Sequence, residues 1–123
     1  MEDSILKSTK KVLGLEADYT PFDPDVIMHI NTVFSILTQL GIGPAEGFMI
    51  EDDQGVWSNF LGDDLQLNQV KTFMYLRVRL LFDPPQTSYL ITAMENQAKE
   101  LEWRLNAYRE GSAWTPPVPE ITI

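Results

Sequence analysis

The 123-residue sequence has no cysteine and one histidine. Without thiols there is no disulfide framework, no thiolate nucleophile and no Cys-ligated zinc or iron–sulfur centre, and a reducing compartment suits the chain. His29 alone supplies neither a paired metal-ligand set nor a Ser–His–Asp arrangement, and beside an apolar stripe it reads as a packing residue. No glycine-rich phosphate loop follows a strand. No apolar run approaches the roughly 20 residues that span a bilayer, and Met1-Glu2-Asp3-Ser4 lacks the basic start and apolar run of a signal peptide. The protein is therefore expected to be soluble, to involve no membrane and to stay where it is made. Positive charge is also scarce: nine Lys and Arg stand against 18 Asp and Glu, for a net charge of −9. The basic residues form no dense run, so a phosphate-neutralising surface is excluded and contact with nucleic acid should be weak or repulsive.

What is present is an ordinary folding composition, 44% apolar and 22% charged, in a chain long enough for one hydrophobic core. Asp3 or Ser4 can cap a first helix whose apolar side is Ile5, Leu6, Val12 and Leu13, with Gly14 as its left-handed stop. Lys7, Lys10 and Lys11 fall on the other side, either as a solvated face or as a docking patch for an acidic partner. After a connector over 15–22, Asp23-Pro24-Asp25 is a helix start in which Asp23 caps, Pro24 supplies the φ of the first turn and Asp25 complements the dipole. Val26, Ile27, Ile30, Val33, Phe34, Leu37 and Leu40 then recur at i, i+3, i+4 spacing, predicting a core-facing helix to about Leu40. Gly41-Ile42-Gly43-Pro44 ends it.

The least regular region is 45–63. Phe48-Met49-Ile50 reads as a short strand and Glu51-Asp52-Asp53-Gln54-Gly55 as an acidic turn. An EF-hand loop needs oxygen ligands at alternate positions and a glutamate at the twelfth, and this segment supplies neither. Carboxylates such as Asp52 and Asp53 in an open turn would gain no useful pKa shift, so no catalytic, cofactor or metal site is expected. Val56 to Leu61 reads as a single helical turn with Trp57, Phe60 and Leu61 over the core, closed by Gly62.

A helical hairpin over 64–108 dominates the rest. Asp63 or Asp64 can cap its first helix, with Gln66 placed for a capping-box return. Leu67, Val70, Met74, Val78 and Leu81 form one row, and Phe73, Leu76 and Leu80 a second beside it, so one row can face the bundle and the other a neighbour. Arg77 projects from the middle of this arc, either ion-paired or at a subunit contact. Arg79 shares the polar side with Lys71 and Tyr75. Asp83-Pro84-Pro85 stops the helix near Phe82, and Thr87 or Ser88 can cap the next, whose stripe is Leu90, Ile91, Met94, Ala98, Leu101, Leu105 and Tyr108. Glu95–Lys99 and Glu100–Arg104 are i, i+4 pairs in the favourable order. Trp103 lies off that stripe, among Thr92, Asn96, Lys99 and Ala107. Phe73, Arg77, Leu80 and Trp103 are accordingly the candidate subunit-interface residues.

From Gly111 the composition changes. Three prolines in Ser112 to Ile123 predict an extended, PPII-like arm, and Trp114, Val118, Ile121 and Ile123 are its candidate docking residues on another chain, by strand addition or in a groove. The expected architecture is all-α: a small bundle of about four helices over 1–110, with a short irregular or β-like segment near 48–62 and an extended C-terminal arm over 111–123.

Three stretches carry a family resemblance: Gly55-Val56-Trp57-Ser58-Asn59-Phe60-Leu61-Gly62-Asp63-Asp64; Val70-Lys71-Thr72-Phe73-Met74-Tyr75-Leu76-Arg77-Val78-Arg79-Leu80-Leu81-Phe82-Asp83-Pro84-Pro85; and Glu100-Leu101-Glu102-Trp103-Arg104-Leu105-Asn106. The sequence resembles the head–tail connector (adaptor, neck) proteins of long-tailed bacteriophages. That resemblance implies a non-enzymatic virion protein, assembled in the host cytoplasm into a ring, commonly twelve-fold, at the virion neck. The implied partners are further copies of itself, the portal protein and a stopper or tail-completion protein, with DNA passing through the channel without specific binding. It also implies terminal arms that grip neighbouring rings. A different class of function for so acidic a chain is a small phage regulator or DNA mimic that occupies a basic site on a host protein.

Overall fold

The computed structural model describes residues 4–62 and 66–113, with side chains to 107. Five helices follow in order: α1 (Ile5–Leu13), α2 (Asp23–Gln39), α3 (Ser58–Leu61), α4 (Leu67–Phe82) and α5 (Ser88–Ala113). The all-α expectation holds: α1, α2, α4 and α5 are the four expected helices, and α3 is the single turn expected within Val56 to Leu61.

The helix ends follow from local chemistry. Ser4 caps α1 by accepting the Lys7 N–H at 3.2 Å, and Gly14 closes it in the left-handed region at φ 85°. At the start of α5 the Thr87 hydroxyl accepts the Leu90 N–H at 3.4 Å, and the two prolines end α4 at Phe82 as expected. The start of α2 differs from expectation. Phe22 holds the N-cap position without a side-chain bond and Asp23 is the first helical residue, because its carboxylate is engaged elsewhere, by Lys10 at 2.8 Å. The expected Asp63 or Asp64 cap lies outside the described residues; α4 begins at Leu67 with Gln66 itself as N-cap.

One core unites the helices. Ile5 and Leu6 of α1, Val26, Ile30, Val33, Phe34 and Leu37 of α2, Val70, Met74 and Val78 of α4, and Ala98 and Leu105 of α5 are buried together, with Ile27 partly buried beside them, and Trp57 and Phe60 close the top. Phe34 stands at the centre of the aromatic contacts, 4.7 Å from Phe60 and 4.9 Å from Phe48 between ring centroids. The α4–α5 hairpin packs most extensively, then α2 on α4, with α1 laid across α2 and α4.

Other expectations are corrected. Val12 is exposed, flanking the α1 core face instead of joining it. Lys10 is not on a solvated face: its side chain is 1% exposed, and besides Asp23 its ammonium donates to the carbonyls of Ala17 at 3.1 Å and Tyr19 at 2.7 Å. Leu81 and Leu90, near the hairpin turn, are exposed. No strand forms over 48–50. Among the described residues the only β pairing is an isolated antiparallel bridge between Ser4 and Val56. The backbone of Ile50 is paired by a side chain instead, with the Asn31 amide donating to its carbonyl at 2.9 Å and accepting its N–H at 2.8 Å. Finally, α5 runs through Gly111 to Ala113. The helical hydrogen-bond ladder tolerates a glycine and imposes no stop until a proline intervenes.

Candidate assembly surfaces

The second row of α4 turns inward more than its periodicity alone requires. Phe73 and Leu76 are buried, because α5 covers one flank of α4 while α2 and α1 cover the others. Phe73 is fully enclosed and serves the subunit's own core. Leu80 is half-buried. Arg77 is neither deeply buried nor free: its Nη2 donates to Glu102 Oε1 of α5 at 2.9 Å, its guanidinium carbon lies 5.5 Å from the Phe73 ring centre, and its Nε is buried without an acceptor. Both members of the pair keep about a third of their side chains in water (32% and 36%), so the bridge contributes about 0.2–1 kcal/mol at most. It staples the two hairpin helices together.

Trp103 follows Glu102 by one residue, about 100° further round the helix, and is turned away from the core with 69% of its surface exposed. The structure therefore brings Phe73, Arg77 and Glu102 into one cluster and leaves Trp103 apart, on the outer face of α5. Tyr89, 80% exposed, lies 14 residues earlier on the same face, about 21 Å along the axis. Glu100 and Arg104, bonded at 2.6 Å, flank Trp103. The arm residues Trp114, Val118, Ile121 and Ile123 lie outside the described residues.

Two surface depressions lie among the described residues, and periodicity gave no signal for either. A broad open groove of about 450 Å³ runs between the outer face of α2, at Asn31, Ser35 and Thr38, and the segment 46–49. A narrower cleft of about 100 Å³ lies between α1 and α4 against Trp57. Neither gathers the converging polar groups of a small-molecule site. Among the described residues no three His, Asp or Glu side chains are placed to hold a metal ion, and no helix is long and apolar enough to cross a membrane. The acidic turn is internally bonded: Asp52 accepts the Gln54 N–H at 2.9 Å, and Asp53 accepts the Gln54 side-chain amide at 2.8 Å. That amide, with Lys7 also nearby, holds the Asp53 carboxyl below the usual carboxylate range.

The model of the family described as "Phage connector protein" matches residues 5–112, from the first residue of α1 almost to the end of α5. The chain belongs to the phage connector protein family. It is thus a structural phage protein, of a family that interacts with other phage head and tail components. No curated protein and no solved structure matches the chain.

Proposed function

We propose that this connector protein is the subunit of a ring at the virion neck, twelve-fold in the assembled particle, that joins the portal to a stopper or tail-completion protein and prolongs the DNA channel. The observation that carries the reading beyond the family is Trp103. A lone indole, two-thirds exposed on the outer face of the longest helix, is the residue type that dominates protein–protein contacts when desolvated. Leu80 and Arg77 extend the proposed interface along the hairpin, and Trp114, Val118, Ile121 and Ile123 would engage a neighbouring chain through the arm. Phe73, enclosed in the core, supports this face from within. A charge of −9 suits a channel wall past which a polyanion must slide without adhering.

Sedimentation velocity on the purified chain, together with reconstruction of the density beneath the portal in whole particles, tests the proposal. Self-association at high concentration, or co-purification with portal and tail components, is the expected outcome. The double change Arg77→Ala and Trp103→Ala should leave the monomer folded and abolish ring formation. A chain that stays monomeric at millimolar concentration and does not bind portal-containing capsids would defeat the proposal, and would favour a small acidic regulator that acts on a host protein.

A further inference from the structure

Charge is segregated in this molecule. Neither α1 nor α4 contains an Asp or Glu, although the chain has 18. The same two helices carry Lys7, Lys10, Lys11, Lys71, Arg77 and Arg79, six of the nine basic residues. Lys10 and Arg77 are committed to Asp23 and Glu102, Lys7 is paired with Asp53 of the same chain at 3.5 Å, and Arg79 donates to the Asp83 carbonyl at 2.6 Å. Lys11 remains exposed, and Lys71 lies 5.8 Å from the centre of the Trp57 ring. Between α1 and α4 sits the 100 Å³ cleft, walled by Val12, Trp57 and Tyr75. Two of the polar groups there are paired with each other: Trp57 Nε1 donates to the Ser8 hydroxyl at 2.9 Å, and that hydroxyl donates to the Ile5 carbonyl at 3.2 Å. What is left is a largely apolar slot with Lys71 at its rim, and Lys11 is exposed elsewhere on the same helix as Val12. Small-molecule sites occupy about 300–1,000 Å³, so this slot is sized for a single side chain.

The complementary shape and charge occur on the same chain, at the rim of the α2 groove. Met49 is 64% exposed. It stands among Glu46, Glu51, Asp52 and Asp53 in a stretch, 46–53, that holds no Lys or Arg. The backbone of the next residue, Ile50, is fixed by its two bonds to Asn31, so docking Met49 costs little ordering. Methionine is unbranched and polarisable, which suits a narrow slot between rings.

We propose that the α1–α4 cleft receives Met49 and its flanking carboxylates from a second copy of this chain. The contact is heterologous, since cleft and loop are different surfaces of one subunit; such contacts propagate head to tail and close into rings when the rotation permits. The inference rests on the ring reading above and adds which surfaces meet.

Two variants and their mixture test it by sedimentation velocity at low and high salt. Met49→Asp destroys the plug and keeps the cleft. Lys71→Glu reverses the charge at the rim and keeps the plug. Far-ultraviolet circular dichroism and the unfolding midpoint establish that both are folded. Each variant alone should self-associate at least about tenfold more weakly than the unmodified chain, and the unmodified chain should weaken at high salt. Mixed in equal amounts, the two should form a heterodimer that grows no further, because only one intact plug and one intact cleft remain. Variants that associate like the unmodified chain, or a mixture that stays monomeric, would overturn the inference. If Met49→Asp assembles normally while Arg77→Ala/Trp103→Ala does not, this contact alone fails and the ring stands; an unmodified chain that never associates refutes both.

Discussion

Replacing Lys10 by methionine isolates the interaction that fixes α1 and the 15–22 connector to the start of α2. The substitution keeps the length and apolar stem of the side chain and removes the ammonium, so little cavity is made. The carbonyls of Ala17 and Tyr19 lose their donor at 3.1 and 2.7 Å, and the Asp23 carboxylate loses its ion-pair partner at 2.8 Å. Removing one partner of a fully buried ion pair costs about 3–5 kcal/mol. The Asp23 side chain is 23% exposed, so water recovers part of its solvation. The carbonyls fall in a connector whose residues are largely exposed, which lowers their share as well. These discounts bring the expected loss to about 2–4 kcal/mol. For a chain of this size, that lowers the melting temperature by roughly 6–16 °C. Urea unfolding followed by tryptophan fluorescence and circular dichroism measures it, with an unchanged m-value showing that the denatured state is unaffected. The double change Lys10→Met with Asp23→Asn should cost less than the sum of the single changes, since the orphaned charge is gone. A loss under about 1 kcal/mol for Lys10→Met, or strict additivity in the cycle, would refute the view that this lysine is a structural anchor.

Two glycines separate steric from torsional cost. Gly43 (φ 88°) and Gly47 (φ 95°) both lie in the left-handed region, but a Cβ on Gly43 would come within 2.4 Å of the Phe60 ring while one on Gly47 meets nothing within 4 Å. Gly47→Ala should cost about 1–2 kcal/mol from strain alone, and Gly43→Ala distinctly more, as read by thermal unfolding; equal losses would show that the Phe60 ring yields freely. Asp53 gives a pH signature. Its folded-state pKa lies below the ordinary value, so its stabilising contribution is present above that ordinary value and disappears as pH falls through the depressed one. Gln54→Ala removes the largest cause and should raise the Asp53 pKa towards the ordinary range, a shift followed by NMR titration of its side-chain carboxyl.

The sequence announces the parts of this fold that depend on one element at a time. The α2 stripe, the Ser4 and Gly14 ends of α1, the proline break after Phe82 and the off-stripe position of Trp103 all follow from helical spacing and capping chemistry, and each is where it was expected. The misreadings at Lys10, in the second row of α4 and at Phe48-Met49-Ile50 share one cause, which is contact between elements distant in sequence. Helical geometry put Lys10 opposite Ile5 and Leu6, and nothing local revealed that the connector folds back over it with two carbonyls and the Asp23 carboxylate. Periodicity identified Phe73 and Leu76 as a second apolar row without telling whether a neighbour or the subunit itself covers it. The strand expected at Phe48-Met49-Ile50 has the composition of one, but its would-be partner is the amide of Asn31, nineteen residues earlier. The α1–α4 cleft had a faint signal in the absence of carboxylates from both helices, visible once the helix bounds are known.

The unequal lengths of the hairpin arms carry a mechanical consequence. At 1.5 Å per residue, α4 with its 16 residues is about 24 Å long and α5 with 26 about 39 Å. The difference, about 15 Å, is a strut that outruns its partner. Copies set side by side would raise such struts as a palisade whose height depends on residue count in α5 and not on core volume. Adding or removing two turns there would shift whatever follows by about 11 Å and leave the packing beneath untouched, so the spacing between stacked components could be tuned without redesigning the fold.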